Sequence, residues 1–518
     1  MAIMRTPVFR FACLVVVVAA SAAAAQAPAS PASSTEGRAA HAYQAAVQAG
    51  PLALTGFLAD FPKGADLHVH LSGAVYAETF IRDAGEDGLC VDPAALSFAR
   101  PPCTAPLVPA ALLPMNQELY DKVVDAFSMR SFVPTTGISG HDQFFATFGR
   151  FSGVNQKHAG EWVDEAATRA ANQNQQYLEL MQTPPFPHAV QIAREIGWNP
   201  DLKQLRQDLL MHGLRDEVFL DSEDVRAAEA QRRDLEHCGT PQATGACQVD
   251  IRYIYQVLRG APPEQVFAQT LLGFETVQAS MEAHAIGFVG INFVQPEDGF
   301  IAMRDYTLQM QMLDYLHSVY PKVHISLHAG ELAPGLVPPE GLRFHIRQAV
   351  ELGHAERIGH GVDVMYEDDA PALLKELADK HVMIEINLSS NEGILGIKGA
   401  WHPFPVYRAA HVPVALSTDD EGVSRIDLTH EYVRAALDYH LSYQDLKQMA
   451  RTGMEHSFLP GDSLWAAPDM FTVPAASCKG QALGERATGV CKTFLAGSDK
   501  AAAQWELERR FRAFESKW

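Results

Sequence analysis

Short apolar runs rich in Val and Ile recur along the chain, separated by longer stretches in which apolar residues return at helical spacing. That pattern predicts repeated strand-then-helix units. Eight runs read as strands: 65–71 (ADLHVHL), 177–181 (YLELM), 251–258 (IRYIYQVL), 285–294 (AIGFVGINFV), 322–328 (KVHISLH), 356–360 (ERIGH), 381–388 (HVMIEINL) and 412–418 (VPVALST). Strands that alternate with helices form a parallel sheet covered by those helices. Eight such units meet the requirement of an α/β (β/α)8 barrel of the TIM type. A doubly wound open sheet is the competing architecture, but no glycine-rich phosphate loop follows the first strand. Several predicted strands end in polar residues: His68 and His70, His328, His360, Asn387, and Asp419 with Asp420. In such barrels the C-terminal strand ends carry the chemistry.

The N-terminal segment follows a different pattern. Arg5 and Arg10 precede the apolar run 11–20, and small residues follow at 21–25, as in a cleaved secretory signal. The run is too short to span a bilayer. The expectation is a signal peptide over 1–25, a flexible leader over 26–40 with an N-terminal extension to residue 60, and one barrel domain from 61 to 518. The mature protein is expected to be exported, to a periplasm or the cell exterior, with no membrane attachment after cleavage. Apart from Cys13, the cysteines fall as near neighbours: Cys90 with Cys103, Cys238 with Cys247, and Cys478 with Cys491. Short separations favour sequential pairing in an oxidising compartment. Each pair lies in a stretch that looks like an addition to the barrel, near 85–140, 215–250 and 463–495, where a covalent link would close a loop with little core of its own.

Composition narrows the partners. With 518 residues, 47% of them hydrophobic, the chain can bury a large core, and its formal charge of −21 argues against general affinity for nucleic acid or anionic membrane. A neutral or cationic small molecule suits it better. Oligomeric state is left open, a homodimer being allowed.

The candidate chemistry begins on the first predicted strand. Residues i and i+2 of a strand share a face, so His68 and His70 can reach one ion. Alone this means little in a chain with 21 histidines. Later strands supply His328, in SLHAGE, and Asp419, in STDD. Three imidazoles and a carboxylate suit one zinc or a similar divalent ion with a position left for water. Glu331 follows His328 by three residues, and His360 offers a further base or electrostatic group. The bland readings are a strand-capping His360, an Asp420 that only orients a ligand, and a Glu331 that is a helix N-terminal carboxylate. His324, His345, His354 and His402 read as structural or solvent-facing. The helically spaced Phe144, Phe145 and Phe148 read as core, with a lid role as the alternative.

Four motifs in order, PKGADLHVHL at 62–71, SLHAGE at 326–331, RIGHG at 357–361 and STDDEG at 417–422, resemble the adenosine deaminase family of metal-dependent amidohydrolases. The exported context and cysteine-bearing insertions look closer to its secreted, growth-factor-related branch. The resemblance covers roughly residues 60 to 460. It implies zinc ligands at His68, His70, His328 and Asp419, a proton donor to purine N1 at Glu331, a base for the attacking water at His360, and a partner for purine N7 at Asp420. The implied reaction is attack of zinc-bound hydroxide on C6 of adenosine or 2′-deoxyadenosine, with release of ammonia and inosine or 2′-deoxyinosine. Protonating N1 requires a neutral Glu331 in a dry pocket.

Two positions depart from the family pattern. Ser72 stands where an acidic residue usually holds the ribose 5′-hydroxyl, so a charge-assisted bond is lost. Gln295 stands where a glycine N–H reads purine N3, and its side chain is expected to narrow the pocket. Both remain candidate substrate-binding residues. They favour, as alternatives, another 6-aminopurine substrate or a secreted nucleoside-binding protein without turnover.

Overall fold

A computed structural model of the protein describes residues 34–283 and 286–518. The expected signal peptide and Cys13 lie outside the described residues. Eight strands form one parallel sheet in chain order: β1 (Gly64–His70), β2 (Gln175–Gln182), β3 (Asp250–Leu258), β4 (Phe288–Val294), β5 (His324–Ala329), β6 (Arg357–His360), β7 (Met383–Ile386) and β8 (Val414–Leu416). The edges of the sheet meet where Val69 bridges Asp419 in parallel. There His70 N–H donates to the Asp419 carbonyl at 3.2 Å and Asp419 N–H donates to the His68 carbonyl at 2.8 Å. The (β/α)8 barrel is borne out, with all eight predicted strands present.

The strand ends differ from the predicted ones for local reasons. β7 stops at Ile386 because Asn387 turns the chain into the helix Leu388–Leu395. β8 starts at Val414, after Pro413, which has no N–H for the ladder. The surrounding helices follow the apolar period. In Tyr443–Glu455, Ser442 and Asp445 cap the start reciprocally, and Tyr443, Leu446, Ala450 and Met454 are buried along one face.

The three sequential disulfides are formed: Cys90–Cys103, Cys238–Cys247 and Cys478–Cys491. The first ties Cys90–Asp92, central strand of a small antiparallel sheet, to the loop beyond Ser97–Ala99. The third lies within a small cluster of its own formed by Leu464, Trp465, Phe471 and Trp505. The second stretch departs from the expected loop. It is mostly the 20-residue helix Asp216–Leu235, which buries Val225 and Ala228 in the main core.

The leader also differs from expectation, since a helix begins at Thr35, inside the 26–40 stretch read as flexible. The Ser34 side chain caps it by accepting from Gly37 N–H at 3.0 Å. Tyr43 then anchors it, packing on Phe57 and Tyr443 and donating its hydroxyl to the Leu441 carbonyl at 2.7 Å. With Pro51–Ala59 and the C-terminal helix Asp499–Glu515 this forms an aromatic cap, in which Phe57 and Phe61 both meet Phe514 edge-on.

Candidate active site and metal centre

His68 and His70 point inward from the end of β1, and His328 does so from β5. Asp419 follows β8 by three residues. Donor atoms of these four side chains all lie within 4.8 Å of one another, and all four residues are buried. His70 Nε2 is 3.2 Å from both Asp419 Oδ1 and His328 Nε2, and His68 Nε2 is 3.6 Å from Asp419 Oδ1. His68 Nε2 is buried without a hydrogen-bond partner. Three imidazole nitrogens and one carboxylate oxygen converging on a point, one of them an orphaned buried nitrogen, fit a divalent cation.

The rings are oriented from behind. His68 Nδ1 is 2.7 Å from Glu385 Oε2, and His328 Nδ1 is 2.6 Å from Asn292 Oδ1. Glu385 is itself held by Arg357 at 2.6 Å and by the Ser326 hydroxyl at 3.0 Å. Burial raises the Glu385 carboxyl, but Arg357 and His68 outweigh it and push it down to about 2. Burial likewise opposes charge on His68, yet Asp419 and Glu385 lift that ring to about 10. A position that holds a proton so firmly is one where a positive charge is welcome. Ser390 donates to Asp419 Oδ2 at 2.6 Å.

Strand-end backbone geometry is unusual. His360, Asp419 and Gln295 have φ of 70°, 60° and 90°, a region sparsely used by non-glycine residues and concentrated at functional sites. Two glycines make room for the site. A Cβ on Gly359 would lie 2.5 Å from His68 Cε1, and one on Gly73 would lie 1.5 Å from Asp420 Oδ1.

Glu331, His360 and Asp419 also place donor atoms within 4.8 Å of one another. His360 Nδ1 accepts from Asn391 Nδ2 at 2.9 Å and lies 3.7 Å from Glu331 Oε1, while its Nε2 lies 3.8 Å from Asp419 Oδ2. Burial pushes this imidazole down to about 3, so it is neutral. It faces the cluster and does not merely cap its strand. Glu331 is in a loop, not at a helix start, which removes the helix-dipole reading. Burial first, then the charges of Asp419 and Glu297, raise its carboxyl well above the ordinary value. Glu297 fixes the loop by accepting from Gly330 N–H at 3.0 Å and Glu331 N–H at 2.8 Å. Asp420 is buried with Oδ1 unpartnered.

These groups open into a cavity of about 320 Å³. Ser72 and Gln295 both line it. The Gln295 side-chain oxygen accepts from Gly260 N–H at 2.8 Å, which ties it to the neighbouring loop. Phe144, Phe145 and Phe148, on the helix Gly140–Arg150, line the cavity as well. All three also pack on the main core, so the core reading holds and the alternative of a cover over the pocket joins it: helical spacing marks an apolar face, and here that face meets both. No Lys or Arg among the described residues lines this cavity. Of the remaining histidines, His324 and His354 pair with Glu356 and Asp314 at the surface. His345 pairs with Glu297, and His402 supports Asn391 at 3.0 Å.

Sequence reading did not single out Glu385, Asn292, Gln256, Asn391 or Glu297. The signal available for two of them was a polar residue inside an apolar strand, MIEI for Glu385 and FVGINFV for Asn292.

Residues 228–466 match the adenosine deaminase family. This region, a little under half of the chain, is what resembles that family. It contains Gln295, His328, Glu331, His360, Asp419 and Asp420, while His68, His70 and Ser72 lie upstream and join them through β1. An adenosine deaminase of Escherichia coli is 39% identical over 140 residues, 27% of this chain and 39% of that protein. One of Clostridium perfringens is 34% identical over 135 residues, 26% and 37% respectively. The aligned part thus spans little more than a third of these curated relatives. Among solved structures, Arabidopsis ADAL complexed with IMP shares the fold at 20% identity and TM-score 0.50, covering 77% of this chain and 93% of that one. An amidohydrolase from Burkholderia ambifaria with bound zinc does so at 17% identity and TM-score 0.50, covering 79% and 89%.

Proposed function

We propose that this protein is an exported, zinc-dependent aminohydrolase acting on adenosine or 2′-deoxyadenosine. The observation that carries the reading is the convergence, in one cavity, of His68, His70, His328 and Asp419 with a raised Glu331 carboxyl, a neutral His360 and an unpartnered Asp420. A divalent ion held by the first four side chains would supply an activated water at neutral pH.

The chain's own groups would do the rest. Glu331, neutral because it is buried beside other carboxylates, donates its proton to purine N1 and makes C6 electrophilic. His360, which accepts from Asn391 at Nδ1 and so carries its ring proton on Nε2, toward Asp419, orients the attacking water through that N–H. Asp420, if protonated as its burial and the neighbouring Asp419 favour, donates to purine N7. The phenylalanines of Gly140–Arg150 cover the ring and exclude bulk water.

Charge selects a nucleoside over a nucleotide. No Lys or Arg among the described residues lines the cavity, so its wall offers a 5′-phosphate no cationic side chain to pair with. Ser72 in the wall and Gln295 tied to Gly260 support a second reading, a 6-aminopurine carrying a different substituent at the sugar position. The three disulfides fit an exported location.

The test is ultraviolet absorbance of adenosine with purified mature protein, with metal analysis of the same sample. Conversion to inosine with about one divalent ion per chain is expected. Full turnover after chelation would overturn the metal mechanism. Bound metal with adenosine untouched but another 6-aminopurine deaminated would move the assignment to the second reading.

A further inference from the structure

The proposed metal ligands have unequal support. His68 and His328 each turn Nδ1 toward an oxygen, of Glu385 and Asn292. An oxygen there accepts the ring proton and leaves Nε2 free to bind a cation. His70 Nδ1 instead faces the side-chain amide of Gln256, with Nε2 of that amide at 2.5 Å, on β3. Gln256 is 4% exposed, and its Oε1 accepts from the Thr183 hydroxyl at 2.9 Å. His70, Gln256 and Thr183 all line the cavity.

We infer that Gln256 is a positioning residue for His70, holding it through the amide oxygen, with Thr183 as the anchor that lets the amide take that orientation. His70 Nε2 lies 3.2 Å from both Asp419 Oδ1 and His328 Nε2, so it is the nitrogen directed at the cation. Nδ1 must then carry the ring proton and donate it. An amide N–H is a donor and cannot receive that proton, whereas the amide oxygen can. Rotating the amide by half a turn places oxygen on Nδ1 and N–H on Thr183. The Thr183 hydroxyl serves both orientations, because it donates and accepts. β3 thereby contributes to the metal site without supplying a ligand, and its supporting contact ends at a hydroxyl in the substrate cavity.

This inference rests on the metal-site reading above. Its test is the zinc affinity of the full mature protein, measured by chelator competition without substrate. Gln256→Leu keeps bulk and removes the acceptor, and zinc binding should weaken roughly 10–100-fold. Gln256→Glu keeps an oxygen on Nδ1 and should bind at least as tightly as the parent. Thr183→Val should weaken binding by less than Gln256→Leu. Zinc affinity of Gln256→Leu equal to the parent's, or a loss in Gln256→Glu as large as in Gln256→Leu, would overturn the role. If Gln256→Leu does not fold, as judged by its melting transition, Gln256→Glu decides alone. A parent protein that takes up no zinc would instead overturn the metal-site reading itself.

Discussion

Of two clefts at opposite ends of the barrel, the larger is not the one with the poised chemistry. The larger, about 610 Å³, lies among the N-terminal ends of β5 and β6 and is lined by five histidines, three lysines and an arginine. Most of its ionisable groups are already paired. His324 meets Glu356, His354 meets Asp314, Lys380 meets Glu376, and His381 and His456 share Asp469. Arg357 is consumed by Glu179 and Glu385. At the C-terminal end, the 320 Å³ cavity leaves His360 Nε2 and Asp420 Oδ1 without partners, and behind its wall His68 Nε2 is also unpartnered. Unsatisfied buried polar atoms are rare and costly. Here three of them, His68 Nε2, His360 Nε2 and Asp420 Oδ1, belong to one group of side chains in which His360 and Asp419 have left-handed φ, which marks that end as organised around something other than stability. Size and histidine count would favour the larger cleft. The state of the hydrogen bonds favours the smaller.

The largest effect expected from breaking this contrast is at the upper end. His328→Ala should lose bound metal and turnover together, read by metal analysis and deaminase assay, because a three-ligand remnant opens the site. Retained metal with full activity would remove His328 from the ligand set. Glu331→Gln should keep metal near the parent level while kcat falls roughly 10²–10⁴-fold. The parent's pH profile sharpens the same point. Glu331 must be neutral to donate, and its carboxyl is raised. Turnover carried by it is therefore full below the raised pKa and is lost as pH climbs through it. A kcat/KM profile whose only fall lies on the acid side would contradict that role.

Phe145→Ala should act through the lid and raise KM about tenfold, in line with the roughly 1.5 kcal/mol lower bound for burying such a side chain, with a smaller change in kcat. An unchanged KM would return that helix to the purely packing role. The smallest effect belongs to the lower cleft. His354→Ala removes a surface pair with Asp314 and should leave kcat/KM within about twofold, as exposed pairs contribute little. A tenfold loss there would show that the two ends are coupled.

How much was legible differs between ligand and support. His68 and His70 were readable because a period of two puts them on one face, and His328 and Asp419 because they end apolar runs. Glu385, Asn292 and Gln256 were not, although they orient the same rings. Each lies on another strand, and only the parallel order of the sheet brings them to the backs of the histidines. Phe144, Phe145 and Phe148 show the same limit in a helix. Spacing identified an apolar face and could not say whether it met core or cavity.

The sequence by itself determined the eight strand–helix units, the donor types at the strand ends and the cysteine pairs. These depend on local periodicity and short separations. Only the tertiary structure decided which donors converge, which side chains stand behind them, that Glu331 lies in a loop under buried carboxylates, and that residues 35–49 and 51–59 are helical. These depend on closure between β1 and β8 and on contacts far apart in the chain, and local pattern carries no record of which distant residues a closed barrel makes neighbours.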